Sequence, residues 1–337
     1  MRVLMVAAKP LKMPRLLQEY QTLRKAGYNV DILIPKVNTY KGPRLFSAFI
    51  RYLAYAIQTI IRGADVVHVF NVPDIVCLFP SFKRAKFILD IRTPWFLKLE
   101  ERYPWLISLA KGLENYLTKK ADIVITANDP MAKRAKVLGA KKVFVVPNYP
   151  PENFAPSQDP LAFREERGAR DKKVVLYVVM LHPGRKGLMY LLKAIKEVVQ
   201  TKKDVMFWIV GDGELRPLLE RKLEDFIQRG NVYFARWRPR DEIPTWIAAA
   251  DVCVEPESLP HPEFFNEQNI WKISEYSVLQ RPIVACGIAK SDQYLLVEKE
   301  KLGEGILKAL EGKTPKPKRK TWTISEKALL NAYNQLV

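Results

Sequence analysis

Val174-Val-Leu-Tyr-Val-Val179 is an unbroken apolar run, and residues 188–200 and 205–210 after it read as a helix and a second apolar run. Short runs with no polar face suit strands buried on both sides, which occur where crossover helices cover a parallel sheet. The alternation continues toward the C-terminus as helix 215–229, strand 232–235, helix 243–249, strand 252–255, helix 268–279 and strand 283–286. Upstream, the runs at 3–7, 29–34, 66–70, 86–90, 123–126 and 142–146 read as strands. Helices fit between them, most clearly at 14–26, closed by Gly27, and at 106–119. A Pro-rich, charged segment breaks the pattern over 151–173 and reads as a linker. The expected fold is α/β, with two Rossmann-like doubly wound domains and a ligand cleft between them. Their bounds are 1–150 and 174–311, and 312–337 holds a basic linker (313–320) and a last helix (325–336).

The 337 residues are 48% hydrophobic and include seven Trp, enough to fill a core in each domain. Cys77, Cys253 and Cys286 are widely spaced and form no CxxC, which speaks against a disulfide framework or structural zinc and for a reducing compartment. The N-terminus enters an apolar run without a cleavage site, so no signal peptide is expected. No stretch reaches the roughly 18 apolar residues of a membrane span. Charge is uneven along the chain. Residues 1–150 hold 25 Lys/Arg against 10 Asp/Glu, a balance of +15, while 151–337 hold 30 against 26, a balance of +4. An excess confined to one half points to an anionic partner for that half.

The most specific passage is Glu267-Gln-Asn-Ile-Trp-Lys-Ile-Ser-Glu275-Tyr276, followed by Arg281-Pro282-Ile-Val-Ala. Eight residues span just over two helical turns, so both carboxylates are expected on nearly the same side of one helix. A carboxylate such as Glu275 can accept hydrogen bonds from the vicinal hydroxyls of a ribose. The helix start around Asn269, Ile270 and Lys272 offers free N–H groups and a positive dipole end to a diphosphate. Lys186 beside Gly187 places an ammonium where little obstructs a phosphate, and Gly211-Asp-Gly213 makes a tight turn after the next strand. Three His far apart supply no Ser-His-Asp or Cys-His apparatus, and no HExxH, P-loop or D-x-D is present.

This constellation resembles the retaining family 4 glycosyltransferases of GT-B fold, in the branch written Glu-x7-Glu with K-x-x-E-Y and then P-[IV]-V. The resemblance covers essentially the whole chain: Lys186-Gly187 opens a K-G-x-x-x-L run, and Pro147-Asn148 sits at the expected crossover between domains. It implies that Glu275 holds the donor ribose, that Glu267 meets the donor sugar and that Lys186 meets the diphosphate. In the first half, Arg15 to Glu19, Asp65 to His68 and Asp90 to Arg92 match motifs of that branch, which makes Arg15, His68 and Arg92 candidates for the cleft. Three positions depart from the pattern. Val179-Met180-Leu181 replaces G-R-L, so the usual diphosphate-binding Arg is absent, and Arg185 is near enough in sequence to substitute for it. The loop 8–14 has no Gly, and Arg236 stands where the family usually has Gly. The implied reaction moves a hexose or N-acetylhexosamine from a UDP- or GDP-sugar to a glycan or lipid-linked acceptor, with retention, no cofactor and no metal. Lys, Arg and helix dipoles would stabilise the leaving diphosphate.

Residues 44–62 have the periodicity of an interfacial helix. Arg44, Ala48, Arg51, Tyr55, Gln58 and Arg62 share one face, opposite Phe46, Phe49, Ile50, Leu53, Ile57, Ile60 and Ile61. With Trp95, Phe96, Tyr103 and Trp105 nearby and the +15 balance, peripheral binding to anionic lipid at the cytoplasmic face of a membrane is expected. Two other readings are a catalytically silent relative that binds nucleotide or glycan, and a basic nucleic-acid-binding protein. The second has no recognition motif, so no nucleic acid is expected as a partner.

Overall fold

In the computed structural model the apolar runs form two six-stranded sheets, and every strand pairing among the described residues is parallel. The structure describes residues 1–7, 14–33, 57–71, 73–100 and 103–336. They divide into unit 1, Met1–Asn148 with Trp322–Val337, and unit 2, Tyr149–Thr321.

Unit 1 holds β1 (Arg2–Val6), β2 (Asn29–Leu33), β3 (Val66–Phe70), β4 (Lys86–Ile91), β5 (Ile123–Thr126) and β6 (Val143–Val145), in the order β2-β1-β3-β4-β5-β6. Every residue of β3 and β5 is buried, which is why these strands carry no polar alternation. Its helices include α1 (Pro14–Lys25), α2 (Ile107–Lys120) and α3 (Asp129–Val137). The last of these starts where Asn128 Oδ1 accepts a hydrogen bond from Met131 N, with a proline in its first turn.

Unit 2 holds β7 (Lys173–Val178), β8 (Val205–Val210), β9 (Val232–Arg236), β10 (Val252–Pro256), β11 (Ile283–Cys286) and β12 (Leu295–Val297), ordered β12-β11-β10-β7-β8-β9. The main helices are α4 (Leu188–Thr201), α5 (Trp271–Val278) and α6 (Leu302–Leu310). Leu188, Leu191, Leu192, Ile195, Val198 and Val199 form the buried stripe of α4 and join Leu302 and Ile306 of α6 in one core. Phe163, Trp208 and Trp246 pack edge-to-face in the core on the other side of the sheet.

Several expectations need correction. Segment 151–173, read as a linker, is part of unit 2: it carries a short helix, Pro160–Glu165, and buries Phe154, Phe163 and Ala169 in the second core. The single helix expected over 215–229 is two, Arg216–Lys222 and Glu224–Gln228, which break at buried Leu223. Helix α5 begins at Trp271 rather than at 268, because Asn266 accepts from the backbone N–H of both Asn269 and Ile270 and closes a turn ahead of it. Both of those N–H groups are thereby committed.

After unit 2 the chain returns to unit 1 as α7 (Trp322–Asn334). Trp322 Nε1 donates to Thr22 Oγ1 at 3.0 Å, Ser325 Oγ donates to Pro147 O at 2.8 Å, and Leu329, Ala332 and Tyr333 are fully buried in the first core. Most of the proposed interfacial helix, 44–56, and loop residues 8–13 lie outside the described residues. Ile57, Ile60 and Ile61 are exposed, whereas Phe96, expected at an interface, is buried beneath Lys111 and Arg134. Among the described residues no helix is long and apolar enough to cross a membrane.

Candidate functional site

In unit 2 the strand order turns back on itself between β7 and β10, and in doubly wound sheets ligands bind beyond the carboxyl ends of the strands at such a point. Three loops are locked together there. A Cβ on Gly187 would lie 1.7 Å from Pro256 O, so the glycine is required by close approach of the Lys186 loop to the end of β10. Gly211 (φ +138°) and Gly213 (φ +150°) hold the turn after β8 against Val179 O and Leu181 O, where added Cβ atoms would come to 1.6 and 2.2 Å. Leu181 N donates to Asp212 O at 2.9 Å and completes the lock.

Four buried carboxylates line the same end of the sheet, and each has a cation. Glu275 accepts from Arg240 Nη2 at 2.6 Å. Lys272 Nζ lies 2.6 Å from Glu255 Oε1, Arg185 Nη1 bonds Glu257, and Lys320 Nζ is 3.8 Å from Glu267 Oε1. Burial raises the Glu275 pKa above the usual carboxylate range, opposed by Arg240. Glu255 is pushed up to about 8 by burial, against the pull of Lys272 and with a further push from Glu257. Burial acts to lower the Arg185 pKa, but Glu257, Tyr177 and Glu255 outweigh it and raise the value.

The sequence candidates of this half, Arg185, Lys186, Gly187, Gly211, Glu267, Asn269, Ile270, Lys272 and Glu275, are thus brought to one end of one unit. Their roles differ in detail from expectation. Glu267 is not on the helix but in the turn before it, its backbone O bonded by Ser274 Oγ at 2.5 Å and its Oε2 buried without a hydrogen bond. The side chain of Asn269 builds that turn, donating to Phe264 O and accepting from Asn266 N, both at 2.8 Å. Met180 is 68% exposed at the loop where an Arg was expected, while Arg185 is tied to Glu257. Glu255, Glu257, Arg240 and Lys320 were missed. A carboxylate inside the apolar run Val252-Cys-Val-Glu255 was the one available signal, since an acidic residue is almost never fully buried unless paired.

In unit 1, Arg15 and His68 lie in the interior rather than at a surface. The fully buried Arg15 guanidinium bonds Glu19 Oε1 at 2.5 Å, Asp90 Oδ2 at 3.0 Å, Asn148 Oδ1 at 3.1 Å and Val146 O. His68 Nδ1 shares a hydrogen bond with Tyr333 Oη at 2.9 Å, and its ring stacks on Phe70. Burial raises the Glu19 pKa; at Asp90 the same effect is overcome by Arg15 and His68, and the value falls. Arg92 is drawn down to about 10 by burial and by Arg15. Glu19, His68 and Asp90 are the one group among the described residues with metal-ligand spacing, their atoms within 4.8 Å. Arg15 already offsets both carboxylates, so a cation bound there would have to displace a guanidinium that makes four contacts.

Residues 172–311 match the family described as Glycosyl transferases group 1. Alpha-D-kanosaminyltransferase of Streptomyces kanamyceticus is 28% identical over 184 residues, 52% of this chain and 45% of that protein. GDP-mannose-dependent alpha-(1-6)-phosphatidylinositol monomannoside mannosyltransferase of Mycolicibacterium smegmatis is 35% identical over 111 residues, 33% of this chain and 29% of that one. The chain therefore spans less than half the length of either relative. Anabaena HepE, solved in complex with UDP-glucose, superposes with a TM-score of 0.67 at 16% identity, over 100% of this chain and 98% of its own. WaaG, a glycosyltransferase involved in lipopolysaccharide biosynthesis, superposes at 0.66 with 14% identity, over 100% and 95%. Two parallel six-stranded sheets with flanking helices are the fold of these GT-B glycosyltransferases.

Proposed function

We propose that the chain is a retaining glycosyltransferase that moves a hexose or N-acetylhexosamine from a UDP- or GDP-sugar to a lipid-linked or membrane-proximal glycan. The observation that carries this reading is Glu275, a buried carboxylate oriented by Arg240 at the strand-order reversal of a domain matching Glycosyl transferases group 1. Such a carboxylate accepts hydrogen bonds from both ribose hydroxyls of the donor. Glu267 then meets the sugar, and Lys186 with the α5 helix start stabilises charge on the departing diphosphate. Retention follows if the acceptor attacks from the leaving-group side, where a diphosphate oxygen can take its proton and no protein nucleophile is needed. Glu275→Ala is expected to weaken UDP or GDP binding by about 1.5–3 kcal/mol in calorimetry, the range for hydrogen bonds to a charged group, with the circular dichroism spectrum unchanged. Wild-type affinity in the folded variant would remove Glu275 from the site. The exposed Met180 and the pairing of Arg185 with Glu257 favour a second reading, a silent relative that binds nucleotide without transferring sugar. Nucleotide binding without hydrolysis or transfer of any donor sugar would decide for it.

Association with anionic membrane is part of the same proposal. Its support is the +15 balance of residues 1–150 and a stripe on unit 1 with Trp105 74%, Leu109 67% and Tyr116 41% exposed. Phe82 widens the stripe, its ring 6.4 Å from that of Tyr116, and exposed Lys119 and Lys120 end it. Each cation near an anionic surface contributes about 1 kcal/mol, so Lys119→Gln with Lys120→Gln is expected to weaken sedimentation with anionic vesicles by roughly 30-fold. Equal binding to neutral vesicles would refute electrostatic docking.

A further inference from the structure

Lys272 sits where the two strands flanking the strand-order reversal meet. From the first turn of α5 its ammonium lies 4.7 Å from the ring centre of Tyr177 on β7 and 2.6 Å from Glu255 Oε1 on β10. Glu255 is fully buried, and neither of its oxygens, nor Lys272 Nζ, has a hydrogen bond in spite of this closeness. Arg240 and Arg185, by contrast, hydrogen-bond the carboxylates they neutralise. A cation cancelled by a carboxylate at contact distance attracts a further anion weakly, because the two fields oppose each other beyond a few ångströms. At the end of β7 the exposed residue is Met180, which brings no charge to the reversal. Lys186 and the start of α5 supply charge at the reversal, and neutralising the partner of a bound cation adds to it.

We infer that Glu255 is a positioning residue that governs Lys272 by its protonation: neutral Glu255 leaves the Lys272 ammonium to a nucleoside diphosphate, and ionised Glu255 withdraws it. This rests on the donor-site reading proposed above and adds to it a proton-linked control of diphosphate affinity. The groups facing Glu255 are Lys272 and Tyr276 from α5, Tyr177 from β7, Arg185 from the loop before α4, Glu257 beyond β10 and Cys286 from β11. Burial keeps both tyrosines protonated far into the alkaline range and pushes Cys286 up to about 12, so none of these three changes charge near neutrality. Glu255, pushed up to about 8, does. Below that pH it is neutral and Lys272 acts on the ligand; above it the pair closes. A bound diphosphate raises the proton affinity of Glu255 further, so binding above pH 8 draws one proton from the buffer onto a Glu255 oxygen.

The test is isothermal titration of UDP and GDP into the full chain between pH 7 and 9.5, in two buffers of different ionisation enthalpy. Wild type is expected to lose about tenfold in affinity from pH 8 to 9.5 and to take up a proton on binding in that window. Glu255→Gln, an isosteric neutral side chain, should bind equally well across the range, and Lys272→Met should bind weakly at every pH. Uridine and guanosine, which lack the diphosphate, serve as the control for ionisation of the base itself, and from pH 8 to 9.5 wild type should lose more affinity for the nucleotides than for them. Proton uptake in wild type needs no variant, so a misfolded Glu255→Gln would not rescue the idea. Diphosphate binding without pH dependence or proton uptake overturns this inference alone. Failure of nucleosides and nucleotides alike to bind at any pH overturns the donor site and this inference with it.

Discussion

Replacing Arg15 by methionine is expected to destabilise unit 1 by about 3–5 kcal/mol, the range for breaking a buried ion pair from one side. At about 2–4 °C per kcal/mol for a unit of this size, its unfolding transition should fall by roughly 6–20 °C, leaving that of unit 2 in place. Methionine fills much of the volume, so the loss comes from charge. Glu19 and Asp90, both fully buried, lose the guanidinium that bonds each of them. The pH dependence has a definite sign. In wild type the lowered Asp90 pKa is a stabilising contribution present above the unfolded value, near 3.8, and lost as pH falls through the folded value. Without Arg15 the Asp90 pKa should rise instead, so the variant binds the proton more tightly folded than unfolded and loses stability as pH increases past about 4. Calorimetry should therefore find the gap between variant and wild type widening from pH 4.5 to 7. A gap that narrows over that range would mean the network is held by something other than charge.

Gly187→Ala should reduce the proposed sugar transfer 100-fold or more. The added Cβ meets only backbone: Pro256 O at 1.7 Å, Pro256 C at 2.5 Å and Glu257 Cα at 3.1 Å. No side chain can rotate away, so the Lys186 loop or the end of β10 must move by an ångström or more, and a misplacement of about 1 Å in a catalytic arrangement costs roughly 10²-fold. Gly187 has φ −61°, which alanine adopts freely, so the clash alone is responsible. Steady-state transfer from a UDP- or GDP-sugar reads the effect, and wild-type turnover would show that the interlocked loops do not position the reaction.

The strands were legible because burial on both faces writes them as apolar runs. Strands β3, β5, β8 and β11 occupy the residues that such runs marked. Elements built from mixed or unfavourable residues were not foreseen. β12 is three half-buried residues, and α6 carries Gly303 and Gly305, poor helix formers. Gly305 is explained only by packing, since a Cβ there would lie 2.9 Å from Val284 and Val297. At the candidate site, residue type and spacing singled out Glu267 and Glu275 but put the first on the helix, because the Asn266 turn that displaces it from α5 has no period to read. Arg240 and Lys320 reach their carboxylates from distant loops, so no local pattern could name them. Charge balance in the buried site is a property of three-dimensional neighbours, and it appeared only with them.

Helix α7 gives unit 1 an unusual history during synthesis. All of Tyr149–Thr321 must leave the ribosome between Asn148 and the helix that completes the first core. At about 5–20 residues per second that interval is roughly 10–35 s. Through it the groove later filled by Trp322, Leu329, Ala332 and Tyr333 is open to water, and His68 and Thr22 wait for their partners. The nascent first half is then a natural client for chaperones. Synonymous codon changes that slow translation of unit 2 should lengthen that dependence without altering a single residue of the finished protein.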